Sequence, residues 1–164
     1  MSVKPLKITI RRADLEDKEA VMSILKRTKF FREDELLIAE EVFDDAIPGS
    51  PTADYQSFVA RDANNKTIGW VCFGVTACTV GTFDIYWVAV DPENQNGGIG
   101  TLLMQYAEKA IKNSGGRLIT VDTSGSPYYI STRRFYEKIG YCNESCIKDF
   151  YAIGDDKVNY IKRL

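Results

Sequence analysis

The segment Val88-Ala89-Val90-Asp91-Pro92-Glu93-Asn94-Gln95-Asn96-Gly97-Gly98-Ile99-Gly100-Thr101-Leu102-Leu103 constrains this chain more than any other. The apolar run before it ends like a strand at Val90. Beyond the glycines, Ile99, Leu102, Leu103, Tyr106, Ala107, Ala110 and Ile111 form the i, i+3, i+4, i+7 stripe of an amphipathic helix, which Gly115-Gly116 ends. Strand, glycine-rich turn and helix start together make an anion cradle. Glycine lets the backbone approach a ligand closely. A helix start offers unpaired N–H groups and about half a positive charge. Phosphate is the natural guest, and a tight turn without a ligand is the plainer alternative.

The phosphate group is narrowed by what is missing. A nucleoside-triphosphate loop needs Gly-Lys-Ser/Thr, and Gly100 is followed by Thr101. The dinucleotide fingerprint needs a third glycine or alanine where Leu103 stands. Asp122 does sit where a ribose-binding acid belongs, so the dinucleotide reading stays open on this evidence.

The rest of the chain sets the fold class. Residues 7–11, with Ile8 and Ile10, read as a strand. Asp14 caps a helix whose face carries Leu15, Val21, Ile24, Leu25 and Thr28. A second helix over residues 33–47 carries Leu36, Ala39, Phe43, Ala46 and Ile47, and Pro48-Gly49 stops it. Phe30-Phe31 between the helices reads as core or as the lining of a site. Residues 57–61, 67–77 and Thr82–Val90 then read as strands of an antiparallel meander. After the glycine turn and its helix come a strand over residues 117–122 and a helix announced by Ser126-Pro127. That helix has Thr132, Phe135, Tyr136 and Ile139 on its apolar face and stops at Gly140. Strands over residues 147–152 and 158–164 follow, joined by Gly154-Asp155-Asp156. The order predicts an α/β (α+β) fold, one domain over residues 1–164. A mixed, largely antiparallel central sheet of about seven strands is flanked by about four helices, with one strand–helix–strand crossover.

Composition then limits the function. Lys plus Arg number 21 and Asp plus Glu 23, a net charge of -2. A protein that grips a phosphodiester backbone is normally strongly basic, so nucleic acid is not an expected partner. No apolar run approaches the length of a membrane span. Met1 to Ile10 carries charge and no long apolar run, so no secretory leader is expected and a cytoplasmic location is. Histidine is absent, which removes Ser-His-Asp and Cys-His catalysis and every His-containing metal site. Acid–base work falls to carboxylates, tyrosines, lysines, cysteines or backbone. Cys72, Cys78, Cys142 and Cys146 include no Cys-x-x-Cys pair, so no metal is expected, and the thiols are expected to be buried or half-buried on strands.

Two runs together carry a resemblance. Gln95-Asn96-Gly97-Gly98-Ile99-Gly100 is similar to the Gln/Arg-x-x-Gly-x-Gly/Ala signature of the GNAT N-acetyltransferase superfamily, and like it follows a strand ending Val-Ala-Val-Asp-Pro. Arg133-Arg134-Phe135-Tyr136-Glu137-Lys138-Ile139-Gly140-Tyr141 resembles the second family motif, a helix carrying Phe-Tyr ahead of Gly-Phe/Tyr. The element order over nearly the whole chain also agrees.

The resemblance implies a GNAT-like fold, acetyl-CoA as co-substrate, and transfer of its acetyl group to a primary amine by direct attack in a ternary complex. It implies that the backbone of Val88, Ala89 and Val90 pairs with the pantetheine arm, with the backbone near Val88 stabilising the oxyanion. It implies that N–H groups from Gln95, Asn96, Gly97, Gly98, Ile99, Gly100 and Thr101 hold the pyrophosphate. Tyr136 matches the family tyrosine that protonates the leaving thiolate, and it also lies on an apolar stripe, where a core tyrosine belongs. Asp84 matches the position at which some members carry a glutamate base. Strand alternation puts it on one face with Tyr86 and Val88, opposite Phe83, Ile85 and Trp87. A base (direct or through water), an anchor for the substrate ammonium and a structural group are its three readings. Glu33, Asp34 and Glu35 are a solvated helix start or an attraction for a cationic amine. Arg133 and Arg134 are surface charges or partners of a CoA phosphate. The acceptor is a small-molecule or peptide amine, and homodimer formation is left open. The alternative function is a non-catalytic CoA- or dinucleotide-binding regulatory module.

Overall fold

The computed structural model describes residues 7–50 and 54–164. The elements run β1 (Thr9–Arg12), a 3-10 turn (Leu15–Asp17), α1 (Lys18–Thr28), α2 (Glu33–Ala46), β2 (Tyr55–Arg61), β3 (Thr67–Val75), β4 (Thr82–Val90), α3 (Ile99–Asn113), β5 (Leu118–Ser124), α4 (Ile130–Lys138), β6 (Cys142–Ala152) and β7 (Asp155–Arg163). The seven strands form a mixed sheet in the order β1-β2-β3-β4-β5-β7-β6. The β4–β5 pair, joined through α3, is parallel; β1–β2, β5–β7 and β6–β7 are antiparallel. Residues 1–6, part of the stretch read for a leader, lie outside the described residues. Among the described residues no helix is long and apolar enough to cross a membrane.

The chain forms two compact units. One contains the described residues up to Phe73 and Trp87–Ala107. Its start is set by Asp14, whose carboxylate accepts the Glu16 N–H at 3.0 Å while Asp17 accepts the Asp14 N–H at 3.1 Å, a reciprocal cap. Asp17 is fully buried, an expensive place for a carboxylate without partners. It has them: Arg61 at 2.8 Å, Arg11 at 3.0 Å and the Thr67 hydroxyl at 2.9 Å. These contacts tie the first helical turn to β1, β2 and β3. Val21, Ile24, Leu25, Ala39 and Phe43 of α1 and α2 make the core with Val59, Trp70, Cys72 and Ala89 of the strands. Helix α3 seats closely on β3 because residue 69 is glycine. A Cβ there would lie 2.9 Å from Leu103 Cδ1 and 3.2 Å from Ile99 Cγ2. Ile99, Leu103, Met104 and Ala107 are buried, whereas Leu102 and Tyr106, expected on the same stripe, are exposed.

The second unit contains Gly74–Tyr86 and Glu108–Leu164. Strand β5 pairs with β7 from Leu118↔Arg163 to Ser124↔Lys157. The end of α3 and helix α4 are fixed on β7 by the polar contacts of Lys162 and Tyr160. Lys162 Nζ donates to both Glu108 oxygens and to the Ile139 carbonyl, each at 2.9 Å. The Tyr160 hydroxyl donates to Glu137 at 2.9 Å. The last two strands extend further than alternation predicts. Asp149 adopts φ 52° and accepts the Gly154 N–H at 2.6 Å, while Asp156 accepts the Asp149 N–H at 3.0 Å. Side-chain oxygens thus hold an irregular stretch in the hairpin that no period of two reveals. The cysteine expectation holds for Cys72 alone. Cys78, Cys142 and Cys146 are exposed, because a turn and the outermost strand carry them. Burial pushes the Cys72 thiol up, out of reach of ordinary thiolate chemistry.

Candidate active site

The parallel ladder between β4 and β5 runs from Thr82↔Leu118 to Asp84↔Thr120, and β4 continues to Val90. Val88 and Val90 are half-buried and Ala89 is buried. Beyond Val90, Pro92–Asn94 make a 3-10 turn, and residues 95–98 form an exposed loop that opens into α3. Asn96 and Gly98 are left-handed, with φ 66° and 79°. A side chain is strained in that conformation, which is why Gly98 suits the turn. The first intrahelical bond of α3 joins Leu102 N–H to the Gly98 carbonyl at 3.0 Å. The N–H groups of Gly98, Ile99, Gly100 and Thr101 therefore have no partner within the helix. They point out of its positive end, beside a loop already open to solvent.

The loop is anchored at its start. Asp91 is fully buried, and its two oxygens receive both Arg27 Nη groups at 2.9 Å. Burial works to raise the Asp91 carboxyl, but Arg27, the Glu93 N–H and Lys66 together hold it below the usual carboxylate range. Trp87, four residues earlier, packs edge-on against Phe31 with ring centroids 5.1 Å apart. Phe31 thus joins the core cluster of its unit.

The second unit holds the two residues expected to do chemistry. Asp84 is half-buried on β4, and its Oδ2 accepts the Thr76 hydroxyl at 2.6 Å and the Tyr86 hydroxyl at 3.4 Å. The shared face of Asp84 and Tyr86 is as alternation predicts. Tyr136 is only 4% exposed and packs between Phe135, Tyr141 and Tyr160 at centroid distances of 5.5, 5.9 and 5.8 Å. Burial, reinforced by Tyr129, pushes its hydroxyl well above the usual tyrosine range. The group therefore keeps its proton at every pH at which proteins normally work.

Comparison with known proteins decides the family. Residues 53–143, more than half of the chain, match the family described as the acetyltransferase (GNAT) domain. A solved protein from Desulfovibrio desulfuricans, assigned to the GNAT acetyltransferase family, is 35% identical, with a TM-score of 0.89 over 95% of this chain and 98% of its own. The chain belongs to the GNAT acetyltransferase family. No curated protein sequence gives a significant match. The ribosomal-protein-S18-alanine N-acetyltransferase of Escherichia coli shares the GNAT fold at 18% identity and a TM-score of 0.75, covering 95% of this chain and 93% of that one. An aminoglycoside 6′-N-acetyltransferase solved with coenzyme A does so at 17% identity and a TM-score of 0.75, covering 94% and 96%.

In this GNAT acetyltransferase the loop residues fit a CoA pyrophosphate by their own chemistry. They offer backbone donors at a helix start, and a Cβ built on Gly98 meets nothing within 4 Å, so the space above it is open. Arg133, Asp34 and Glu35, weighed for the GNAT reading, and Asp122, weighed for the dinucleotide reading, have partners of their own. Arg133 Nη1 donates to the carbonyls of Ser124 at 2.7 Å and Ser126 at 2.9 Å, closing the turn before α4. Glu35 accepts the Arg32 N–H at 2.8 Å, capping the start of α2, and Asp34 pairs with the Arg32 guanidinium at 3.0 Å. Asp122 pairs with Asn159 at 2.7 Å and Lys157 at 3.2 Å. Thr76 and Arg27 escaped the sequence reading. Arg27 meets Asp91 only through tertiary folding, 64 residues apart, although Asp91, next to the glycine run, was a visible hint. Thr76 meets Asp84 across the turn between β3 and β4, 8 residues apart.

Proposed function

We propose that residues 1–164 act as one acetyltransferase domain that moves the acetyl group of acetyl-CoA to a primary amine by direct attack in a ternary complex. The observation that carries this reading is the exposed loop of residues 95–98 running into the unpaired N–H groups of α3. Backbone from Gln95, Asn96, Gly97, Gly98, Ile99, Gly100 and Thr101 holds the pyrophosphate. The backbone of Val88, Ala89 and Val90 pairs with the pantetheine arm. Acetyl-CoA supplies the activated acyl group as a thioester. The aminoglycoside enzyme solved with coenzyme A supports this choice of co-substrate.

Two protons must be managed. An alkyl ammonium has a pKa of about 10.4, so about one amine in a thousand is nucleophilic at pH 7. Asp84 takes up the departing proton, directly or through a water, while Thr76 holds its carboxylate in place. Tyr136 acts at the other end. A tyrosine of ordinary pKa about 10 is already a weaker acid than a thiol of about 8.5. The burial that raises Tyr136 weakens it further. Its contribution is accordingly a hydrogen bond that strengthens as charge develops on sulfur, with the hydroxyl keeping most of its proton. No histidine competes for either role.

The test is thiol release from acetyl-CoA against a panel of amino acids, polyamines, aminoglycosides and peptides with free N-termini or lysines. The reading expects amine-dependent release with acetylated product at one class. Binding of acetyl-CoA without turnover on any amine would favour the regulatory alternative.

A further inference from the structure

Asp91 anchors the start of the loop of residues 95–98. Its N–H donates to the Ile68 carbonyl at 2.9 Å, its carbonyl accepts the Asn94 N–H at 2.8 Å, and its Oδ1 accepts the Glu93 N–H at 3.1 Å. One residue therefore ends β4, caps the 3-10 turn and sets the direction in which residues 95–98 leave. The far end of the loop is fixed by Ile99, buried beside Gly69. Between these ends lie the left-handed Asn96 and Gly98, which packing does not hold.

The Asp91 side chain is fully buried, so its orientation depends on its partners. Lys66 stands 3.5 Å from Oδ2, but it is half exposed and is shared with Glu93 at 3.6 Å. Arg27, in the last turn of α1, makes the two-point contact, with each nitrogen on its own oxygen at 2.9 Å. A planar fork on a carboxylate fixes orientation as well as charge, which an ammonium cannot do.

We propose that Arg27 is a positioning residue for acetyl-CoA binding: its grip on Asp91 holds the loop of residues 91–98 in the shape in which its N–H groups converge on the pyrophosphate. This rests on the loop being the acetyl-CoA site. Arg27 itself touches no substrate; it acts through Asp91. The consequence is a division of effects. Weakening the fork loosens acetyl-CoA binding more than it loosens the fold, because the loop must be re-ordered each time the ligand binds.

Calorimetric titration with acetyl-CoA and a thermal melt, on wild type, Arg27→Lys, Arg27→Gln and Arg11→Gln, test it. Arg11→Gln perturbs the buried Asp17 instead and controls for general destabilisation. Arg27→Lys is expected to melt within a few degrees of wild type yet bind acetyl-CoA roughly 5–10-fold more weakly, and Arg27→Gln more weakly still. Arg11→Gln is expected to lower the melting temperature with affinity unchanged. Wild-type affinity in a folded Arg27→Lys overturns the proposal, as does an equal loss of affinity in Arg11→Gln. If Arg27→Gln does not fold, Arg27→Lys decides alone. Failure of the wild type to bind acetyl-CoA would instead sink the reading of the loop.

Discussion

Thr76 donates its hydroxyl to Asp84 at 2.6 Å, on the same carboxylate oxygen that Tyr86 approaches at 3.4 Å. A carboxylate held this way is oriented on its strand, and the three readings of Asp84 make different forecasts. As a base, Asp84→Asn lowers turnover by about 10–1000-fold near neutral pH. The deficit shrinks as pH rises, because the amine then loses its proton unaided. As an ammonium anchor, the same change raises the Michaelis constant and leaves turnover intact. As a structural group, it lowers only the melting temperature. The account expects the first pattern. A pH–rate profile read beside a thermal melt distinguishes the three, and a fully active, equally stable variant refutes them all.

Tyr136→Phe removes one oxygen from a side chain packed among Phe135, Tyr141 and Tyr160. The ring contacts survive, so the fold and most acetyl-CoA affinity should survive too. Turnover should fall by roughly 100–1000-fold, the cost of losing one hydrogen-bond donor to developing charge, measured where chemistry limits the rate. Unchanged turnover would make Tyr136 a core residue only.

Much of this was legible in the sequence, for identifiable reasons. Asp14 reads as a helix cap, and it caps the 3-10 turn that leads into α1, because a cap is a local interaction of a side chain with the next turn. The strand from Thr82 to Val90 and the start of α3 at Ile99 are fixed by period and by glycine. What escaped was non-local. Arg27 meets Asp91 across a separation of 64 residues, and Thr67 meets Asp17 across 50. No periodicity encodes such pairs. The β6–β7 hairpin is legible but longer than its alternation shows: Asp149 and Asp156 hold an irregular stretch in it through side-chain bonds to backbone, where a period of two breaks. Three exposed cysteines escaped because a thiol's usual preference for the interior says nothing about an outer strand.

Stability should depend on acid through Asp17 and Asp91. Burial works to raise the Asp17 carboxyl, but Arg61, the Asp14 N–H, Thr67 and Arg11 outweigh it and hold it below its ordinary value. Asp91 is lowered as well. A carboxyl lowered by folding stabilises the protein fully above its unfolded pKa of about 3.9, and that contribution fades as pH falls through the folded value. Melting temperature should therefore drop steeply below about pH 4. Asp17→Asn leaves two arginines facing a neutral group and should cost about 3 kcal/mol at pH 7. That is roughly 6–12 °C in a chain of this size. The variant should also show a shallower acid dependence than wild type, and parallel pH profiles would contradict the assignment.

The central claim is that the glycine loop holds the acetyl-CoA pyrophosphate, and a thermal melt with and without acetyl-CoA tests it most directly, on wild type and Gly98→Glu. Space above Gly98 is open, so the variant should fold despite the strain of a side chain at φ 79°. It would place bulk and negative charge where the phosphates belong. Acetyl-CoA at 100 times its dissociation constant stabilises a protein that binds it only when folded by about 2.7 kcal/mol. The account predicts a rise of several degrees for wild type and none for Gly98→Glu. An equal rise in both proteins would contradict it.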